Sequence, residues 1–189
     1  MAKFFGNLNA VVAVGFALMI AMLFWTNSVG NVVGWMTFLH VLFGIMWIGL
    51  LYYFNFVQIP TMPTVPAELK PGVTKYIAPK ALWWFRWAAL ATVITGLAVA
   101  GHKHYLVEAM TFQSGFKLIG IGMWLALIMA ANVWFIIWPN QKKALGIVEA
   151  DADTKAKAGV TAMMASRTNC LLSIPMLFAM VLQNLGGAL

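Results

Sequence analysis

The sequence predicts an all-α integral membrane protein, a polytopic bundle of about five transmembrane helices. Of its 189 residues, 62% are hydrophobic and only 9% are charged, whereas a soluble domain carries about 25% charged residues. Its apolar runs reach roughly 20 residues, the length that a helix needs to cross the hydrocarbon layer of a bilayer. We therefore predict a single transmembrane domain over residues 1–189, with spans at about 8–25, 32–57, 81–101, 116–138 and 160–185.

The predicted spans carry features typical of packed membrane helices. The first, LNAVVAVGFALMIAMLFW, has alanines four apart on one face, at Ala13, Ala17 and Ala21. The third opens with the tryptophans of ALWWFRWAA, and the fourth closes with WFIIWP, as expected where aromatic rings sit at the membrane interface. Small or short residues four apart in the third span favour close helix packing: Ala88, Thr92, Gly96 and Ala100.

Two polar segments between the spans are predicted to lack regular structure. Five of the seven prolines lie between Gln58 and Lys80, and prolines at this density oppose a regular helix. The segment from Asn140 to Gly159 holds four lysines and three of the five Asp and Glu residues. We expect a loop or interfacial segment in the first case and a solvated loop in the second.

The lysines outside the spans predict the orientation. Two of them, Lys103 and Lys117, fall on the side opposite the N-terminus, and the rest fall on the N-terminal side: Lys3, Lys70, Lys75, Lys80, Lys142, Lys143, Lys155 and Lys157. The positive-inside rule then predicts a cytoplasmic N-terminus and an external C-terminus in a bacterial cytoplasmic (inner) membrane. The net charge of +7 reflects this topology. Because the longest cluster of Lys and Arg is the pair Lys142-Lys143, we expect no nucleic-acid partner.

A polar stripe marks the second span. Its members follow at steps of 4, 3, 4, 4 and 3 residues, close to the helical period: His40, Gly44, Trp47, Leu51, Asn55 and Gln58. Polar groups in lipid cost free energy unless something faces them. The stripe therefore predicts that one face of this helix lines an interior site.

His40 leaves two interpretations open. It is either a neutral imidazole hydrogen-bonded across the bundle, or an axial ligand of a b-type haem, with Gly44 leaving space for a flat ring and Trp47 available to stack on it.

His102 and His104 lie in a loop and are more typical of solvated histidines. The single cysteine, Cys170, is typical of a small packing residue. Without a CxxCH motif, covalent c-type haem is excluded.

Polar residues of four spans are predicted at a similar depth, near the cytoplasmic ends: Asn55, Arg86, Asn132 and Arg167. The two arginines either snorkel to the interface or form a cationic pocket for haem propionates, a quinone or another planar anion, for which the guanidinium fork is suited. No Asp or Glu lies within a predicted span. On the pocket interpretation, Asn55, Gln58 and Asn169 contribute to the substrate or anion pocket.

Four segments together resemble the membrane portion of the bacterial urate oxidase N-terminal domain family: HVLFGIMWIGLLYYFNFVQIP, ALWWFRWAALATVITGL, ANVWFIIWPNQKK and ASRTNCLLSIPMLFAM. In that family the membrane part is joined to a C-terminal cytochrome c domain and linked to urate oxidation. The W-x-G after a membrane histidine is more distantly similar to haem-binding protoporphyrinogen oxidases and copper-resistance membrane proteins. The resemblance implies these positions of interest: His40, Trp47, Asn55, Gln58, Arg86, Asn132, Trp138, Arg167 and Asn169.

This chain departs from the family pattern, because it ends at Leu189 without CxxCH. We therefore expect no fused cytochrome c domain, and expect a separate cytochrome c or other electron carrier as partner. The first hypothesis is a redox subunit that holds a b-type haem or planar anion within the bundle. One alternative is a non-catalytic structural protein that forms a homo-oligomer through its small-residue seams. The other is a small transporter or channel subunit, against which the lack of intramembrane carboxylates argues.

Overall fold

The protein is all-helical in its computed structural model, which describes residues 1–186. No β-strand occurs in that range. In chain order its α-helices are α1 (Ala2–Phe5), α2 (Leu8–Trp25), α3 (Val32–Tyr52), α4 (Ile59–Thr61), α5 (Lys70–Gly72), α6 (Ala78–His102), α7 (Leu106–Met110), α8 (Lys117–Asn132), α9 (Trp138–Ala144) and α10 (Ala152–Asn184).

Five continuous helical runs are long and apolar enough to cross a membrane: Leu8–Trp25, Val32–Thr64, Lys70–His102, Lys117–Ala144 and Ala152–Gln183. This confirms the predicted all-α class with five candidate spans. The longest runs have 33 residues, or about 50 Å at the rise of an α-helix, which exceeds the ~30 Å hydrocarbon layer. The sequence located the most apolar part of each run and missed the ends that extend beyond it.

The predicted loop between Gln58 and Lys80 is wrong for most of its length. The second run continues through a π-helical segment, Tyr53–Gln58, then α4 and a 3₁₀ turn, Met62–Thr64. Helix resumes at α5 and passes through a second π-helical segment, Val73–Ile77, into α6. Only a short link of residues 65–69 separates the two runs.

Three prolines are accommodated by π-helical turns. The residue before each proline donates its N–H to the carbonyl five positions back: Ile59 to Phe54 before Pro60, Ala78 to Val73 before Pro79, and Trp138 to Val133 before Pro139. A proline inside an α-helix lacks an N–H and clashes with the carbonyl four residues earlier. The wider π turn relieves that conflict, so the prolines interrupt the α-helical pattern without ending the helix.

The predicted loop at 140–159 is also shorter than expected. Helix α9 continues to Ala144, and α10 already begins at Ala152. Asp151 caps α10, because its carboxylate accepts hydrogen bonds from the N–H and the hydroxyl of Thr154, each at 2.8 Å. These bonds hold the pKa of Asp151 below its usual range. A hydropathy pattern does not reveal a helix start of this kind, because its first residues are polar.

The chain divides into two compact units, Met1–Trp35 and the part from Met36 onward. In the first unit, the Asn7 side chain caps α2 by accepting from the Ala10 N–H at 3.2 Å. The second unit has its own core, in which Phe54 and Phe85 meet edge to face with ring centroids 5.6 Å apart. Its largest fully buried apolar side chains are Trp47, Phe85, Leu51, Met129, Ile137 and Val133.

Candidate cofactor-binding cavity

A cavity of about 570 Å³ lies within the second unit, between α3, α6, α8 and α10. This volume falls in the range of ~300–1,000 Å³ typical of small-molecule and cofactor sites. Its lining is mostly apolar, and among the described residues it includes no Asp or Glu. Its main constituents are His40, Gly44 and Trp47 on α3, Thr92 and Gly96 on α6, and three methionines: Met123, Met176 and Met180.

His40 is held in one orientation by the neighbouring helix. Its Nδ1 lies 2.9 Å from the carbonyl oxygen of Thr92 and 3.5 Å from the Thr95 hydroxyl. Because a carbonyl oxygen only accepts, Nδ1 carries the hydrogen, and in a neutral imidazole Nε2 then holds a free lone pair. Nε2 makes no hydrogen bond to any residue that the structure describes. The cavity thus contains one imidazole prepared to accept a hydrogen bond or ligate a metal.

Gly96 provides the surface against which the imidazole packs. A Cβ atom at this position would lie 2.7 Å from Cε1 and 3.0 Å from Nδ1 of His40, closer than any side chain tolerates. Gly44 is less tightly opposed, since a Cβ there would lie 3.8 Å from Thr92 Cγ2. The predicted small-residue seam of the third span is therefore a close helix contact, and Gly96 makes room for the ring of His40.

Trp47 is fully buried, and its indole N–H has no hydrogen-bond partner in the described part of the chain. It lines the cavity seven residues after His40 on α3, a separation of about 10 Å along the helix. An unpartnered buried donor costs free energy. An acceptor or the π face of a bound aromatic molecule would satisfy it.

The polar stripe of the second span divides into two parts. His40, Gly44 and Trp47 line the cavity together, while Leu51 is fully buried in the core. Asn55 and Gln58 lie beyond them in the π-helical segment Tyr53–Gln58 and do not line the cavity.

Hydrogen-bonded amides connect the fourth and fifth spans outside the cavity lining. The Asn132 side-chain nitrogen donates to the Ala165 carbonyl at 2.9 Å and to Asn169 Oδ1 at 2.7 Å. Asn169 is fully buried, and its own nitrogen donates to the Met129 carbonyl at 3.0 Å. Each nitrogen faces a backbone carbonyl, which fixes which amide atom is the donor.

Asn55 joins this cluster from the second span. Its nitrogen donates to a backbone carbonyl one turn back and to Ser166 Oγ, both at 2.8 Å. Among the amide side chains of Asn55, Gln58, Asn132 and Asn169, the buried atoms left without a partner within residues 1–186 are Oδ1 of Asn55, Oδ1 of Asn132 and Oε1 of Gln58. An anion requires donors, whereas the unused groups here are acceptors. The arrangement therefore does not favour an anion pocket formed by Asn55, Gln58 and Asn169.

The two arginines do not line the cavity that His40 lines. The Arg86 guanidinium carbon lies 3.8 Å from the centre of the Trp138 ring, a cation–π contact. Arg167 is exposed on α10 and has no hydrogen bond or ion pair within the described residues. This placement fits the snorkelling interpretation better than a shared anion pocket with His40.

Sequence reasoning missed part of the lining. Lys103 and Tyr105 line the cavity, although the sequence assigns them to a loop. Tyr105 stacks on Phe116 with ring centroids 5.8 Å apart, and burial raises the pKa of its phenol. The available signal was that Lys103 lies seven residues after Gly96, on a continuation of the small-residue seam.

The remaining candidates form no site of their own. His102 and His104 are exposed, and Cys170 is a half-buried free thiol. No group of three or more His, Cys, Asp or Glu side chains in residues 1–186 is arranged to hold a metal ion. A haem iron needs fewer protein ligands, and His40 is the imidazole in the cavity lining that could supply one.

Residues 104–186 match a family model described as urate oxidase N-terminal. The predicted resemblance to this family is confirmed over that segment, which is less than half of the chain. It contains Asn132, Trp138, Arg167 and Asn169, while His40 and Arg86 lie before it. No match is found among curated proteins or among solved structures.

Proposed function

We propose that this chain, which shares a segment of the urate oxidase N-terminal family, is a redox-type membrane subunit that binds a b-type haem in the cavity beside His40. The observation that carries the proposal is the hydrogen bond from His40 Nδ1 to the Thr92 carbonyl. Metal-ligating histidines usually donate their other ring N–H to a carbonyl or carboxylate, which fixes the tautomer and the ring orientation. His40 has this arrangement before any metal is considered.

The cavity suits a flat, mostly apolar cofactor. Gly96 allows the imidazole to lie against α6, and Gly44, one turn after His40 on α3, adds no side chain to the cavity lining. The methionines contributed by α8 and α10 are flexible, polarizable side chains that adapt to an irregular apolar surface. The absence of a carboxylate from the described lining avoids repulsion of the anionic propionates.

Within this proposal each residue has a distinct role. His40 Nε2 would ligate the iron, while the Thr92 carbonyl holds Nδ1–H and would increase the basicity of the imidazole. Gly96 allows the ring to lie against α6. Trp47 contributes a buried aromatic surface to the cavity lining. The haem, when bound, supplies one-electron transfer.

The first test is the haem content of the purified full-length protein, from cells supplied with a haem precursor. We expect a b-type reduced-minus-oxidised spectrum and a positive pyridine haemochrome assay. His40→Ala should lose most of the bound haem, because the cavity lining offers no other imidazole. The ratio of haem to protein measures the effect.

The chain provides a matched control for this test. His102 and His104 are the other two histidines of the sequence, and both are exposed and outside the cavity. The double variant His102→Ala/His104→Ala should therefore retain the wild-type haem content. Equal loss in both variants would point to non-specific instability. A wild-type protein without any haem signal would reject the proposal and favour the structural alternative.

A further inference from the structure

The ammonium and the phenol of the cavity lining lie at the same end of the cavity. Lys103 and Tyr105 line this end, just past the last turn of α6. Toward the opposite end the lining includes the fully buried Trp47. A molecule that fills the cavity therefore meets a cation and a phenol at one end and an aromatic wall at the other.

The helix contacts give the order of these groups along the cavity. His40 meets Thr92 and Gly96, while Gly44, one turn later on α3, meets Thr92, so α3 and α6 run in opposite directions. Lys103 lies seven residues beyond Gly96, or about 10 Å. Trp47 lies a similar distance from His40 in the opposite direction. His40 is thus close to the middle.

Lys103 is the cationic side chain of the cavity lining, and no carboxylate in the described lining neutralises it. The two arginines that the sequence suggested for an anion lie elsewhere, Arg86 against Trp138 and Arg167 on an exposed face. Tyr105 adds a hydroxyl whose burial favours the neutral, hydrogen-donating form. Together an ammonium and a phenol form a suitable pair for carboxylate oxygens.

We propose that the Lys103 end of the cavity binds the carboxylates of the bound cofactor, so that the propionates of the haem lie beside Lys103 and Tyr105 and its apolar edge faces Trp47. This inference rests on the proposed haem function and adds the direction in which the cofactor is inserted. Lys103 acts as a positioning residue, since it contacts the substituents of the ring and not the reacting iron.

The test compares protohaem IX with its dimethyl ester, which has the same ring and no ionised carboxylate. Full-length protein loaded with either compound releases it to an excess of a haem-scavenging protein, and the release rates are measured optically. The wild type should release the dimethyl ester about two- to fivefold faster than protohaem, the range expected for a solvent-accessible ion pair. Lys103→Met should remove this difference, and Lys103→Arg should preserve it.

Lys117→Met is the matched control, because it removes the same charge from an exposed lysine that does not line the cavity. It should keep the wild-type preference. A preference that survives in Lys103→Met, or that disappears in Arg86→Met, would overturn the proposed direction while leaving haem binding intact. A wild-type protein that binds neither compound would overturn the proposed function and, with it, this inference.

Discussion

Gly96→Ala is expected to lower the affinity for the proposed haem by about tenfold or more, the effect typical of disturbing the support of a metal ligand. The added Cβ would lie 2.7 Å from Cε1 of His40, so the imidazole must move away from α6. Movement of the ring breaks the hydrogen bond between Nδ1 and the Thr92 carbonyl. The ratio of haem to protein should fall, and the absorption maximum of the remaining haem should shift.

Gly101→Ala separates this effect from a general effect of alanine in the helix. Gly101 also lies on α6, but a Cβ there would meet nothing within 4 Å. Both substitutions gain about 0.5–1 kcal/mol of intrinsic helix stability, so Gly101→Ala should be at least as stable as the wild type and bind the cofactor normally. Normal haem binding by Gly96→Ala would show that the contact between Gly96 and His40 is not needed for binding.

Asn169→Asp is expected to destabilise the bundle by about 3 kcal/mol, although the asparagine and aspartate side chains have nearly the same shape. The substitution replaces the nitrogen that donates to the Met129 carbonyl with an oxygen, and two acceptors then face each other. It also places a charge at a fully buried position. For a chain of this size we expect the melting temperature in detergent to fall by roughly 6–12 °C.

Asn31→Asp is the control for the added charge. Asn31 is exposed, and its oxygen accepts from the Gly34 N–H at 2.8 Å at the start of α3. Aspartate caps a helix N-terminus as well as asparagine, so this variant should melt within a degree or two of the wild type. A similar loss of stability in both variants would mean that the buried amide contributes little.

The periodicity of the second span was sufficient to predict that His40, Gly44 and Trp47 share a face. The seam from Ala88 to Ala100 likewise predicted close packing of the third span. What the sequence does not contain is the register between these two helices, and this register determines that Gly96, rather than another small residue, receives the imidazole. The hydrogen bond to Thr92 depends on the same register and was not predictable.

The arginines show a different limit. Their depth along each span follows from counting residues, but the direction of a side chain depends on its neighbours. Arg86 lies against Trp138 of another span, and Arg167 lies on an exposed face of α10. Lys103 was overlooked for a related reason, because it follows the apolar run and was assigned to a loop.

The prolines misled the prediction of helix boundaries. Pro60, Pro79 and Pro139 each indicate a break when an α-helix is assumed. In the structure the preceding residue bonds to the carbonyl five positions back, and the helical run continues. The choice between a loop and a π turn depends on whether the flanking residues are held in packed helices, which is a tertiary property.

The most direct measurement is the rescue of His40→Gly by free imidazole, followed by the reduced-minus-oxidised spectrum of the purified full-length protein. Removing the side chain leaves space next to Gly96 that a soluble imidazole can occupy. We predict that the variant lacks the b-type spectrum and that added imidazole restores it, because the ring nitrogen and not the covalent link ligates the iron. An unchanged spectrum in His40→Gly, or no spectrum in the wild type, would contradict haem ligation by His40.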